Sequence, residues 1–593
     1  MSVRIRISTA IAAVAVSALV LQACSFTKSH PDVVKIGESG GIAELTSDQA
    51  RYEPGKPVRL QLRLKDASQG DALLVRYSHL SDNLKEETVK MDGATASWSW
   101  EPPKDDYQGY YVDVFLKHGG DYVDHAGIGV DISSDWGKFP RYGYLADFGE
   151  MTEDAQKAVM DRLNRLHLNG LQFYDWQSKH HDPLPMEGGQ PASDWTDIAN
   201  RTISAQTVKS YIDEAHARGM KAMNYNLLFG ANAGYEQDGA KQEWGLFKDP
   251  VHEEQDQHPL PSSWKSNIFL MNPANEDWQR YLLGQEKKAF ETLGFDGYHV
   301  DQLGDRGGVF DYGGNLVDLP AAYRSFLEAA KKDLHVDYVM NAVNQFGQQE
   351  IAKSPVKFLY TEVWMNEMQD LKDVIDQNGM LSQHRKNTVV AAYMNYDLAD
   401  GPGQFNAPGV LLADAAIFAA GGSHLEAGEG LLAKEYFPNR NLAVPDALWR
   451  QLQHYYDFLT AYENLLRDGA TEAAQPLKAV EGPPLSDNPE TGKLWAFAKD
   501  KGDTSIVHLI NLTNADSTQW KDAKGTQPEP AMLQGLKYRL QPKEGKKVKR
   551  IWLATPDLYG GSPIPLSFKK DGEAMDIEVP NLKYWDMIVI EYE

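Results

Sequence analysis

One cysteine in 593 residues leaves no intrachain disulfide and no thiolate cluster for a metal. Basic residues are scarce beside acidic ones: 59 Lys and Arg stand against 84 Asp and Glu, a formal charge of −25. That balance excludes an electrostatic nucleic-acid binder, which needs clustered Lys and Arg, and it suits a neutral ligand. Beyond the first 24 residues no stretch approaches the ~20 apolar residues of a transmembrane helix. The glycine pairs in Gly401-Pro402-Gly403 and Gly421-Gly422 lack the following Lys-Ser/Thr of a phosphate loop. No repeat array or low-complexity tract occurs. What is present belongs to a globular protein, 42% hydrophobic and 24% charged. At roughly 150 residues per domain, the length suggests about three or four domains. Aromatic residues reach 10%, enough for large cores or an aromatic-lined cleft.

The lone cysteine has an informative position. Residues 1–24 read MSVRIRISTAIAAVAVSALVLQAC, with Arg4 and Arg6 ahead of an apolar run from Ile11 to Leu21. The run is short for a membrane span and ends in small residues, as a secretory signal does. Leu21-Gln22-Ala23-Cys24 resembles a bacterial lipobox, although Gln22 is atypical there. On this reading residues 1–23 are removed, Cys24 carries the lipid, and the exported protein is anchored to a bacterial membrane, periplasmic or at the cell surface. A plain signal peptide with an incidental Cys is the alternative.

After a polar tether to residue 40, residues 41–135 alternate with period two between Gly, Pro and Asp turns, as in Val58-Arg59-Leu60-Gln61-Leu62-Arg63-Leu64. This predicts an antiparallel β-sandwich. From 136 to 470 helical periodicity alternates with short apolar strands, often with Gly between them. Eight strands are expected: 142–146, 171–175, 221–226, 297–301, 337–341, 357–362, 388–394 and 422–426. Eight β/α units in about 330 residues fit a TIM barrel, with a doubly wound open sheet as the alternative. From 471 to 593 alternation returns, predicting a second, C-terminal β-sandwich.

In a barrel the chemistry sits at the C-terminal strand ends. Those ends are polar: Asp147, Asp175-Trp176, Asn224-Tyr225-Asn226, His299-Val300-Asp301-Gln302, Asn341, Glu362-Val363-Trp364, Asn395-Tyr396, and His424 with Glu426. One strand-end Asp can be a helix cap, but eight polar ends in a row exceed what capping requires. Carboxylates, amides and Trp without a basic cluster point to a polyhydroxylated neutral ligand. Glycoside hydrolysis needs two carboxyl groups flanking one bond, and Asp301 with Glu362 is the strongest pair by position. His180-His181-Asp182 suggests a metal only weakly, because adjacent His lack the i, i+4 spacing of a helical zinc pair. No cofactor or metal is called for, and a structural calcium site is not readable.

Three motifs carry a family resemblance. Asn169-Gly170-Leu171-Gln172-Phe173-Tyr174-Asp175-Trp176, the run Gly294 to Gly304 (GFDGYHVDQLG), and Tyr360-Thr361-Glu362-Val363-Trp364 resemble motifs of glycoside hydrolase family 66. That family holds endo-dextranases and cycloisomaltooligosaccharide glucanotransferases. The resemblance implies an immunoglobulin-like sandwich, a (β/α)8 barrel and a C-terminal β-sandwich. It implies retaining cleavage of α-1,6-glucan such as dextran and isomaltooligosaccharides. Asp301 matches the nucleophile and Glu362 the general acid/base. Asp175 is expected to hold sugar hydroxyls. Tyr174, Trp176, Asn226, His299, Asn341, Trp364, Asn395 and Tyr396 are further expected substrate contacts. The inter-strand stretches 176–220 and 227–296 have no room for the ~100-residue carbohydrate-binding module typical of the cyclising members. That favours an endo-dextranase, with the glucanotransferase as the alternative. A surface glycan-binding lipoprotein without activity is the non-enzyme alternative; a barrel glycosidase for another α-glucan is a third. A monomer is expected.

Overall fold

A computed structural model describes residues 33–36, 40–66 and 72–593. The leader, the lipobox and Cys24 lie outside the described residues. Within the expected tether, Val33–Ile36 forms a single helical turn.

The protein is strand-rich and multidomain, with a parallel set of strands between two antiparallel assemblies. Residues 42–132 form a three-stranded and a four-stranded sheet. In Val58–Leu64 every second residue is buried, so Val58, Leu60, Leu62 and Leu64 enter a core shared with Leu73, Val75, Val112 and Val114 of the other sheet. Alternation in the sequence thus translates directly into one wet and one dry face.

The eight expected strands are all present, each within a few residues: Tyr142–Leu145, Gly170–Phe173, Lys221–Leu227, Gly297–Asp301, Asp337–Met340, Leu359–Glu362, Thr388–Ala391 and Gly422–Leu425. Neighbours pair in parallel in sequence order. A parallel bridge, Asn341 to Tyr360, joins the fifth strand to the sixth. The segment after the eighth strand bonds to the first, with Tyr144 N donating to Ala427 O (3.1 Å) and Ala146 N to Glu429 Oε1 (2.9 Å). Residues of one parity, including Tyr142, Met223, Val339, Tyr360, Val389 and Leu425, share a core on one side of these strands. Those of the other parity pack on the helices.

Helix boundaries follow local chemistry. Thr152, Ser204, Asn275 and Asp318 each accept a first-turn N–H, which satisfies donors the helix cannot. Gly294 ends Glu276–Leu293 in the left-handed region at φ 85°, where a Cβ would be strained. Gly170 is different. Helix Glu153–Arg165 is capped by Leu166, and Gly170 already lies in the strand, flat against the Trp136 ring. Helix Ala407–Ala420 is apolar except for Asp414, and it is buried on every side from Gly409 onward. The last helical stretch before the C-terminal sheets breaks at Tyr462 into Asp446–Ala461 and Glu463–Leu466.

Residues 471–592 form a seven-stranded and a four-stranded sheet. The larger is buried on both faces: Ile588 and Ile590 enter the sheets' own core, while Met587 and Val589 pack against the helices. Its continuous apolar runs are therefore two interleaved faces.

The last helix ties the parts together. Gly109 and Gly129 lie so close to it that an added Cβ would collide with the Thr460 and Asp457 carbonyls. Beside it, fully buried Arg141 bonds Asp131 (2.6 Å) of the N-terminal sheets, Glu463 (3.0 Å) and the His167 carbonyl (2.7 Å). Burial and Asp131 hold the Glu463 carboxyl well above its usual range. Removing Arg141 would face these two buried acids across a cation-depleted gap. Arg141→Met is expected to cost about 3–5 kcal/mol, read as a lower urea midpoint. An unchanged midpoint would show that the two acids do not need Arg141.

Candidate active site

The C-terminal ends of the parallel strands open on a cavity of about 480 Å³, within the usual range for small-ligand sites. Tyr174, Asp175, His299, Asp301, Asn341, Glu362 and Trp364 line it. Asp301 ends the fourth strand and Glu362 the sixth. Between them stands Asn341, one residue past the fifth. Its Nδ2 donates to Asp301 Oδ1 (2.9 Å) and to Glu362 Oε2 (3.1 Å). The two N–H bonds of one amide diverge by about 120°, so the two acceptors sit roughly 5 Å apart. Glu362 N donates back to Asn341 Oδ1 (3.2 Å), which fixes the amide's orientation.

The two carboxyls have different surroundings. Asp301 accepts from Tyr225 OH (2.7 Å) as well as Asn341. Burial raises its pKa, but these donors and the Gln302 N–H oppose the rise and favour the carboxylate. Glu362 is pushed up to about 7, first by burial and then by the Asp301 charge. Its Oε1 accepts from Tyr393 OH (2.8 Å) and Trp364 Nε1 (2.9 Å). With Oε1 taken by two donors, a proton on Glu362 belongs on Oε2, the oxygen nearer Asp301. Both carboxyls are raised, but the Asp301 charge adds to the rise at Glu362 while three donors oppose it at Asp301, so Glu362 is the one that keeps its proton to higher pH, the order that general acid and nucleophile require.

Asp175 follows the second strand in the left-handed region, at φ 51°. That kink breaks the alternation and turns its side chain into the cavity. Burial, then Asp197, raise it to about 7. His299 is buried and stacked on Tyr142, with its Nδ1 3.1 Å from the Tyr142 hydroxyl; burial lowers it to about 3, so the ring is neutral.

Four expected contacts do not line the cavity. Trp176 is fully buried in the strand–helix layer, donating to Asn224 Oδ1 (2.7 Å) and packing on Trp195 and Phe295. Asn226 donates to buried Glu286 (2.6 Å) and to the His180 carbonyl (2.7 Å). Asn395 is tied to Asp522, and Tyr396 sits behind Trp364 with its hydroxyl on Glu435 (2.7 Å). Strand parity explains the third strand: Asn224 and Asn226 face the helices, so Tyr225 between them faces the cavity. That signal was available in the sequence. Tyr393, on the inward parity of the seventh strand, was legible in the same way. Tyr436, Phe437 and Trp264 were not, because they come from long loops. Phe437 stacks on Tyr174 at 4.2 Å, and Trp264 meets Tyr436 at 5.1 Å.

The His180 and His181 rings turn to different partners, Asn226 Oδ1 and Asp238 Oδ2. Among the described residues, Asp414, His424 and Glu426 form a group able to hold a metal. It is buried between helix Ala407–Ala420, which carries Asp414, and the eighth strand, and none of the three lines the cavity.

Similarity to known proteins agrees with this geometry. A cycloisomaltooligosaccharide glucanotransferase of Niallia circulans is 27% identical, over 97% of this chain and 74% of that protein. A dextranase of Streptococcus salivarius is 27% identical, over 82% of this chain and 67% of that protein. The crystal structure of a Paenibacillus cycloisomaltooligosaccharide glucanotransferase bound to cycloisomaltoheptaose superposes with a TM-score of 0.87 at 25% identity, covering 93% of this chain and 100% of that one. Matched by the family model over residues 47–589, the chain belongs to glycosyl hydrolase family 66.

Proposed function

We propose that the protein is a retaining endo-hydrolase of α-1,6-linked glucan, acting on dextran with Asp301 as nucleophile and Glu362 as general acid/base. The observation that carries this reading is the single Asn341 amide bonded to both carboxyls. It implies a separation near the roughly 5–5.5 Å of retaining pairs and short of the roughly 6.5–9.5 Å of inverting ones. Glu362 Oε2 gives its proton to the glycosidic oxygen as Asp301 attacks C1. The positive charge developing on the sugar ring lies against the Asp301 carboxylate. A β-glucosyl-enzyme results. Glu362, now ionised, takes a proton from water, which attacks C1 and releases a product of α configuration. Asp175 would hold sugar hydroxyls at the cleaved end, and Trp364 and Tyr174 would offer ring faces to the sugar.

On this reading the parallel strands close as a (β/α)8 barrel over 136–470, supported by the bonds from the eighth strand's end to the first. An immunoglobulin-like sandwich over 41–135 and a C-terminal sandwich over 471–593 flank it. The exported protein works as a monomer, needs no cofactor, and is held on a membrane through lipidated Cys24.

Cyclisation is the second reading, favoured by the extent of the match to the glucanotransferases. Against it, the stretches after the second and third strands are taken up by two- and three-residue strands, loops and the helices Ala205–Ala217 and Glu276–Leu293. Dextran digestion separates the two. Linear isomaltooligosaccharides, with starch and pullulan left intact, are the expected products by chromatography and mass spectrometry. Cyclic products would reverse the assignment, and faster starch cleavage would remove α-1,6 selectivity.

A further inference from the structure

One segment of the C-terminal sheets reaches the active site. Residues 517–527, between strands Thr504–Asn511 and Leu533–Leu540, lie across the loops that follow the sixth and seventh parallel strands. Backbone bonds lace the segment down: Met368 N to Thr518 O (3.0 Å), Trp520 N to Asn366 O (3.0 Å) and Asn395 N to Lys521 O (2.8 Å). Trp520 is fully buried and donates its indole N–H to Met365 O (2.8 Å), while Asp522 accepts from Asn406 Nδ2 (2.7 Å). With two flanking residues anchored, Lys521 has little freedom. Its Nζ donates to Trp364 O (3.2 Å) and lies 4.9 Å from the Trp364 ring centre. The same indole donates to Glu362 Oε1 (2.9 Å).

We propose that Lys521 is a positioning residue for Glu362, acting through Trp364: it holds the carbonyl and ring of Trp364 so that the indole N–H stays on Oε1 and the acidic proton on Oε2. The inference rests on the reading of Glu362 as acid/base. Trp364 stands two residues past the sixth strand, with its N–H on Asn344 Oδ1 (2.8 Å) and its ring packed on Tyr393 (5.3 Å), and Lys521 adds a hold on its carbonyl. An ammonium bonded to its carbonyl and seated near its ring restrains both backbone and side chain. The charge matters as well. Lys521 feels Glu435, Asp397 and Glu362, and a second cation, Lys434, sits over the neighbouring Tyr396 ring at 3.7 Å. Glu362 itself faces Asp301, Tyr393, Asn341 and Trp364. Lys521 favours ionised Glu362, so its loss raises the Glu362 pKa.

The test is Lys521→Met with Lys521→Arg and Glu362→Gln alongside, in the full-length protein. On dextran, Lys521→Met is expected to lower kcat about tenfold with KM within about threefold, a fraction of what a general acid contributes. The alkaline limb of kcat/KM should move to higher pH, and Lys521→Arg should recover most of the rate. On 4-nitrophenyl α-isomaltoside, whose phenolate leaves without a proton, the defect should shrink. Unchanged kcat and alkaline limb would overturn the proposal, as would a rise in KM alone, which would make Lys521 a substrate contact. A lower melting temperature with intact kinetics would overturn it too. If Glu362→Gln loses activity and Lys521→Met does not, this inference alone fails; if Glu362→Gln stays active, the reading beneath it fails.

Discussion

Asp301→Asn is expected to reduce kcat on dextran by about 10⁴-fold or more, the scale of removing a covalent nucleophile. The substitution is nearly isosteric. An amide oxygen at the Oδ1 position still accepts from Asn341, and the Tyr225 hydroxyl, which donates to Oδ2, can turn to accept from an amide nitrogen there. The fold should therefore survive, with an unchanged melting temperature and circular dichroism spectrum. What is lost is the nucleophilic oxygen and the negative charge facing the oxocarbenium-like state. Loss of that charge also lowers the Glu362 pKa, because Asp301 is the second cause of its elevation after burial. Activity above about a tenth of the parent would remove Asp301 from the mechanism.

Glu362→Gln is expected to lose about 10²–10⁴-fold on dextran, and its pH profile should change in a defined direction. On the proposed mechanism, the acid limb of kcat/KM in the parent is expected to follow ionisation of Asp301, whose pKa is raised by burial. The alkaline limb is expected to follow loss of the Glu362 proton near its raised value of about 7. Activity thus falls below the first and above the second. Gln cannot lose a proton, so the alkaline limb should vanish while the acid limb remains. With 4-nitrophenyl α-isomaltoside, azide needs no deprotonation and should restore turnover, giving an α-glycosyl azide through two inversions at C1. A β-azide would mean that the nucleophile had been removed and that the two roles are reversed. A retained alkaline limb would assign it to another group, with Asp175, also raised to about 7, the first to examine.

The sequence alone carried the strand-ending acids. Asp301 and Glu362 could be paired because each ends an apolar strand of the same parallel set, and parallel strands present their C-terminal ends on one side. Parity was equally legible. It assigns Tyr225 to the cavity and Asn226 to the helix layer, where Asn226 meets Glu286. Expecting Asn226 in the cavity followed residue type where period two should have decided. Asp175 escapes parity because its positive φ kinks the chain just past the strand, which no residue-type pattern announces.

What the sequence determined by itself was the order of elements, the alternating faces of the flanking sheets and the identity of the paired acids. All three follow from local rules: hydrophobic periodicity, capping side chains and strand-end position. What only the tertiary structure decided was which groups meet. Asn341 spans the two carboxyls only because the fourth, fifth and sixth strands are neighbours in register. Trp176 is buried where a sugar contact was expected, because Trp195 and Phe295 converge on it from distant segments. Lys521, some 159 positions after Glu362 in the chain, reaches the site because its segment packs across two loops. Such contacts depend on long-range packing and on the close approach of side chains far apart in the chain, which one-dimensional patterning does not encode.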